Sequence, residues 1–130
     1  MSSSPERPGP PRSTGMLRVP MVRRCRIVPA TGLLSEGYLV NLNVLGAYLA
    51  WDGRVRMSEI VRLSFTLAGN DLPLELRGVV AWVNPTQSHP VHSLPPGFGV
   101  KFVDLDDENR RRITAAVEEY IRRHPHALRR

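Results

Sequence analysis

The stretch Ile60-Val61-Arg62-Leu63-Ser64-Phe65-Thr66-Leu67 alternates apolar and polar residues without a break. Successive side chains on a strand point to opposite faces, so Val61, Leu63, Phe65 and Leu67 make one apolar face. Arg62, Ser64 and Thr66 make the polar one. A strand of this kind has a core on one side and water on the other, which is the habit of antiparallel sheets. Gly69-Asn70-Asp71 follows as a turn signal. Leu74 to Val83 then resumes the period of two, with Leu74, Leu76, Val80 and Trp82 on one face. Gly78 falls on the same face and is read as a bend or bulge.

Upstream, Gly46 to Trp51 reads as another strand, closed by the turn pair Asp52-Gly53. Tyr38 to Leu42 precedes it, with Tyr38, Val40 and Leu42 on one face. Met21 to Val28 is the first strand and carries Arg23, Arg24 and Arg26. Strand geometry puts Arg24 and Arg26 on one face and turns Arg23 away. Downstream, Phe98, Val100 and Phe102 mark a sixth strand. The period then changes: Ile113, Val117 and Ile121, flanked by Ala116 and Tyr120, form one stripe of a helix. Asp104 or Asp106 caps its start, Asp107 and Glu108 lie in its first turn, Arg122 and Arg123 in its last, and Pro125 stops it. Six short strands and one terminal helix predict a mainly β fold, a small antiparallel barrel with the helix docked on it.

The ends differ in composition. Residues 1–16 are rich in Ser, Pro and Gly, with no apolar period, and read as a disordered arm. Residues 17–124 form the domain and 125–130 a basic tail. The proline-rich loop from Asn84 to Pro96 is long for so small a domain, which suggests function or mobility.

The 130 residues carry a net charge of +6, and Lys101 is the only lysine. Arginine pairs bidentately with phosphates and guanine edges, so an anionic ligand fits. A GC-rich coding bias gives the same surplus, and composition leaves both readings open. Cys25 is the only cysteine, so no internal disulfide forms, which suits a cytoplasmic location. No apolar run approaches the ~20 residues of a membrane span, and the N-terminus has no secretory apolar region.

Asn41-Leu42-Asn43-Val44-Leu45-Gly46 joins two strands. By itself it reads as a strand–turn–strand corner, since Asn favours turns and Gly takes unusual backbone angles. In this order of strands and helix, from about Leu17 to Arg123, the chain resembles the PilZ domain family. Those domains are six-stranded barrels that bind cyclic di-GMP. Their signature is Asp/Asn-x-Ser-x-x-Gly, preceded about twenty residues earlier by Arg-x-x-x-Arg. Leu17-Arg18-Val19-Pro20-Met21 looks like the stretch bearing the second arginine. Pro95-Pro96-Gly97-Phe98-Gly99-Val100-Lys101-Phe102 looks like the last strand.

Residue by residue, the resemblance assigns Arg18 to the second arginine, Asn41 to the acid/amide position and Gly46 to the glycine. Asn43 stands in place of the serine. The first arginine falls on Thr14, which cannot pair with a phosphate, while Arg12 is close by but out of register. Arg12, Arg24 and Arg26 are candidate auxiliary cations. A lost charged partner weakens binding by roughly 1.5–3 kcal/mol, about ten- to a hundredfold.

The resemblance therefore implies a non-enzymatic regulatory or adaptor protein of bacterial signalling, concerned with motility, type IV pili or cell polarity, with weak or absent cyclic di-GMP binding. Its partner would be a protein of such a pathway. The alternative is a working cyclic di-GMP receptor that closes its N-terminal arm over the barrel. A nucleic-acid polymer ranks far behind, supported by charge without a stacking set or recognition helix.

The remaining motifs are weaker. His89-x-x-His92 and His124-x-His126 lack the Cys or second pair of a metal site, and neither a metal nor a resident cofactor is expected. Cys25 reads as a buried structural thiol, and Trp51 and Trp82 as core or barrel-rim residues. No nucleophile, base and oxyanion set can be assembled, so the chain does not read as an enzyme.

Overall fold

The computed structural model describes residues 18–67, 72–84 and 94–128. The arm of residues 1–16, most of the Asn84–Pro96 loop with His89 and His92, and the last two residues of the basic tail lie outside them. Six strands follow in order: β1 (Val19–Val28), β2 (Ser35–Leu42), β3 (Gly46–Ala50), β4 (Ile60–Phe65), β5 (Leu74–Asn84) and β6 (Gly97–Val103). All pair antiparallel, and they close in the order β1-β2-β3-β6-β5-β4. Closure leaves no sheet edge exposed. Helix α1 (Asp107–Arg123) follows the barrel, and a single 3₁₀ turn, Pro125–Leu128, ends the described chain.

The alternation of β4 holds: Val61, Leu63 and Phe65 are buried, and Leu67 is buried just past its end. Ile27, Leu39, Leu49, Leu74, Phe98 and Val100 are among the residues that join them in the core. On α1, Ile113, Val117 and Ile121 are buried as the helical period predicts. Each such side chain contributes about 1.5–3 kcal/mol relative to exposure. Of the two capping candidates, Asp106 is the cap, its Oδ1 accepting from the Asn109 N–H at 2.7 Å. Asp104 instead sits at φ +54 and pairs with Arg77.

Two expected strand faces are corrected. Tyr38 and Val40 do not share the inward face with Leu42. Gly37 and Leu39 point in, and Tyr38 is half exposed at 49%. Register between β2 and β3 then slips by one residue between Leu39 and Asn41. The extra residue of this β-bulge reverses the alternation, so Leu42 points in and Asn41 out. Likewise Trp82 leaves the face of Leu74, Leu76 and Val80, because β5 gains a residue against β6 between Val80 and Trp82. Trp82 is 39% exposed. The irregularity expected at Gly78 is thus displaced to Ala81. Gly78 meets the need for close packing instead, since a Cβ there would stand 2.8 Å from the Cβ of Val100.

Candidate functional site

The bulges frame a row across the outside of the barrel. Pro20 on β1 pairs with Asn41 on β2, Asn41 with Tyr48 on β3, Tyr48 with Gly99 on β6, and Gly99 with Trp82 on β5. At about 4.8 Å per strand, Asn41 and Trp82 lie about 14 Å apart across the sheet. A third register shift, between Pro20 and Arg23, flanks the same row. Bulges of this kind re-aim side chains next to sites. Here two of them turn an amide and an indole out of a core that strict alternation would have given them.

Arg18 stands just before β1 and its Nη1 donates to Asn41 Oδ1 at 3.3 Å. The two are 23 residues apart, so the barrel itself joins them. Desolvation against the barrel lowers the Arg18 pKa from its ordinary value. A guanidinium stays charged throughout. A cation partly withdrawn from water is less screened, and an anion placed beside it gains more.

Asn43 is buried, and its Oδ1 accepts from the N–H of Leu45 at 2.9 Å and of Gly46 at 3.0 Å. The Asn43 N–H closes the corner by donating to the Gly46 carbonyl at 3.0 Å. Its side-chain oxygen is therefore held by the corner between β2 and β3. At Gly46 a Cβ would stand 2.1 Å from the Val100 carbonyl oxygen, an impossible approach. Glycine here lets β3 and β6 meet in register, with Gly46 opposite Lys101.

At the other end of the row, Trp82 packs over Gly99 and tilts against Tyr48, with ring centroids 5.4 Å apart. Tyr48 is fully covered, and its hydroxyl donates to the Pro95 carbonyl at 2.7 Å. Burial raises its pKa above the ordinary value, partly offset by a hydrogen bond with Asn84. The outer face thus offers a cation and an amide at one end and an indole backed by a phenol at the other. Such a surface suits a flat, anionic, aromatic ligand.

The family model for the PilZ domain matches residues 11–119. The chain belongs to the PilZ domain family. No curated protein sequence matches it. Among solved structures, it is similar to the PilZ domain of CeSA from a cellulose-synthesizing bacterium, at 16% identity and TM-score 0.53, over 79% of this chain and 96% of that one. It is also similar to the Bacillus subtilis inhibitor of motility MotI/DgrA, at 14% identity and TM-score 0.66, over 88% of this chain and 52% of that one. A third is the PilZ domain of YcgR from Escherichia coli, solved with cyclic di-GMP, at 10% identity and TM-score 0.59, over 83% and 94%. These likenesses establish the barrel-and-helix fold of this PilZ domain.

Against the signature positions, the barrel brings Arg18 and Asn41 into contact and sets Asn43 and Gly46 in the adjoining corner. It does not bring Arg24 or Arg26 to the row. Their partners on β2 are Tyr38 and Glu36, three and five residues from Asn41, or about 10 and 16 Å along the strand. Both arginines are exposed, and Arg24 lies 3.8 Å from Glu36. Arg12 and Thr14 lie outside the described residues. The sequence alone marks Trp82 as a core or rim residue, and the structure adds its place on the row. The signal was there in Gly99: a glycine on the outer face of a strand leaves room for an aromatic side chain from its neighbour.

Of the histidines, His124 stacks on Tyr120 with centroids 4.1 Å apart. Cys25 is fully buried, and desolvation pushes its thiol up to about 12. Among the described residues no three His, Cys, Asp or Glu side chains gather as metal ligands, and no helix is long and apolar enough to cross a membrane.

Proposed function

We propose that this PilZ domain is a non-enzymatic signalling adaptor of the bacterial cytoplasm whose site takes cyclic di-GMP weakly or not at all. The observation that carries this reading is the Arg18–Asn41 contact on an outward-facing row, kept while other signature positions have changed. Thr14 stands where a second arginine would close on the phosphates. Asn43 stands where the family has serine, with its oxygen held by backbone. One cation in place of two leaves an affinity about ten- to a hundredfold lower. The partner of such an adaptor is a protein of a motility, pilus or polarity pathway, a reading supported by the likeness to the inhibitor of motility MotI/DgrA.

One observation favours the receptor alternative. Trp82 is exposed at the end of the row, and an indole face stacks a guanine at a gain of about 1–3 kcal/mol. In that reading the arm preceding Arg18 closes over the barrel when ligand binds. Calorimetric titration of cyclic di-GMP, with GTP as control, separates the two. Weak or no heat supports the adaptor, and saturable submicromolar binding supports the receptor.

A further inference from the structure

The barrel places a second cation beside the signature corner, at a position outside the signature. Lys101 follows the buried Val100 on β6 and is exposed on the outer face. It pairs with Gly46 on β3 and with Val79 on β5. Gly99, under Trp82, lies two residues back along β6, about 7 Å away. On the other side, Arg18 precedes the pair Val19–Leu42 and Asn43 follows it, so these two stand next to each other on β1 and β2. Asn43 in turn meets Gly46 through its N–H. Arg18 and Lys101 therefore flank the Asn43–Gly46 corner from opposite sides, one from β1 and the other from β6.

Neither cation is neutralised. Among the described residues, no carboxylate lies within ion-pair distance of Arg18 or Lys101. The nearest acid along β6 is Asp104, three residues on, and Arg77 pairs with it. The strand neighbours of Lys101 on the outer face, Gly46, Val79 and Gly99, carry no charge. Gly46 also puts no side chain between Lys101 and the corner. Every other basic residue except the histidines is arginine, so the only lysine of the chain stands opposite the signature glycine. A lysine ammonium is a compact charge on a flexible four-carbon stem. It binds phosphate as a point charge, without the fixed geometry of a guanidinium fork.

We propose that Lys101 is a phosphate-binding residue of this site, its ammonium and the Arg18 guanidinium holding a phosphodiester of cyclic di-GMP from the two sides of the Asn43–Gly46 corner. The inference rests on the adaptor reading and narrows it, because binding is then weak and not absent. Lys101 brings a charge from the barrel itself, where Thr14 brings none from the arm. It replaces the missing arginine only in part, since a point charge lacks the bidentate fork that grips phosphate and guanine edges together. The residual affinity of the site depends on Lys101 as well as on Arg18.

The test is NMR titration of the full chain with cyclic di-GMP to millimolar concentration, with inorganic phosphate as control. Wild type should show saturable shifts at the Gly46 and Lys101 amides that phosphate alone does not produce. Lys101→Ala should weaken binding about tenfold, and Arg18→Ala by a similar factor. Lys101→Arg, which keeps the charge, should bind at least as well as wild type. Lys101 is exposed, so thermal unfolding of its variants should match wild type. No saturable shift in wild type, equal shifts with phosphate, unchanged affinity in Lys101→Ala, or equal losses in Lys101→Ala and Lys101→Arg would overturn the proposal. Weak binding by wild type that Lys101→Ala leaves unchanged sinks the role of Lys101 and leaves the adaptor reading standing. Submicromolar binding that Lys101→Ala weakens supports that role and sinks the adaptor reading instead.

Discussion

Arg18 Nη1 lies 3.3 Å from Asn41 Oδ1, which ties the entrance of the first strand to the end of the second. The contact depends on a β-bulge. Without the extra residue between Leu39 and Asn41, the amide would face the core and the arginine would have no partner outside. Deleting Val40 should therefore do more than shorten a strand. It should turn Asn41 inward and disturb the packing of Leu42. The expected result is a destabilised protein with an altered amide spectrum along β2, read by denaturant unfolding and NMR.

Asn43→Ala tests the corner. Removing Oδ1 strips the Leu45 and Gly46 N–H groups of their acceptor. The expected loss is about 1–3 kcal/mol, measured by urea unfolding. Asn43→Ser should cost less, because a serine hydroxyl closes the same turn more weakly. Equal stability of all three proteins would contradict the role assigned to Asn43.

Gly46→Ala places a methyl group onto the Val100 carbonyl. Backbone cannot yield there without breaking the β3–β6 ladder. A loss near the upper end of the overpacking range, roughly 3 kcal/mol, is expected. The check is thermal unfolding, and a shift of under a degree would show that the strands are spaced more loosely than described.

Cys25 predicts an alkaline response. Its folded pKa is raised to about 12 by burial, above the ordinary thiol value of about 8.5. The unfolded chain loses the proton first as pH rises. The stability this group contributes is full below the unfolded pKa and is lost as pH rises toward the folded one. Wild type should lose stability between pH 9 and 11 more steeply than Cys25→Ala, and the native thiol should resist disulfide reagents until the protein unfolds. Rapid native labelling would contradict its burial.

The fold was legible wherever one period governed a whole segment. Val61, Leu63 and Phe65 on β4, and Ile113, Val117 and Ile121 on α1, lie where alternation and the helical repeat put them. The faces of Tyr38 and Trp82 were misread for one physical reason. A bulge adds a residue without changing composition, and counting by twos cannot detect it. Arg18 and Asn41 were found through the resemblance and not through their chemistry, since a lone arginine and a turn asparagine are ordinary. The corner role of Asn43 needed coordinates, because an asparagine can equally face a ligand or its own backbone.

Trp82 offers an internal reporter. Its exposed ring lies at the far end of the row from Asn41, so a ligand spanning the row should change its emission. Trp82→Phe should abolish that change, whereas Trp51, set edge-on against Phe98 and not on the row, should remain silent. A response from Trp51 alone would place the ligand elsewhere.

The most direct test is calorimetric titration of cyclic di-GMP into wild type, Thr14→Arg and the double change Thr14→Arg, Arg18→Ala, with GTP as control and salt held fixed. The account predicts weak or undetectable binding by wild type. Restoring the arginine should tighten it by about ten- to a hundredfold, and removing Arg18 should reverse the gain. Submicromolar binding by wild type, or no gain in a well-folded Thr14→Arg protein, would contradict it.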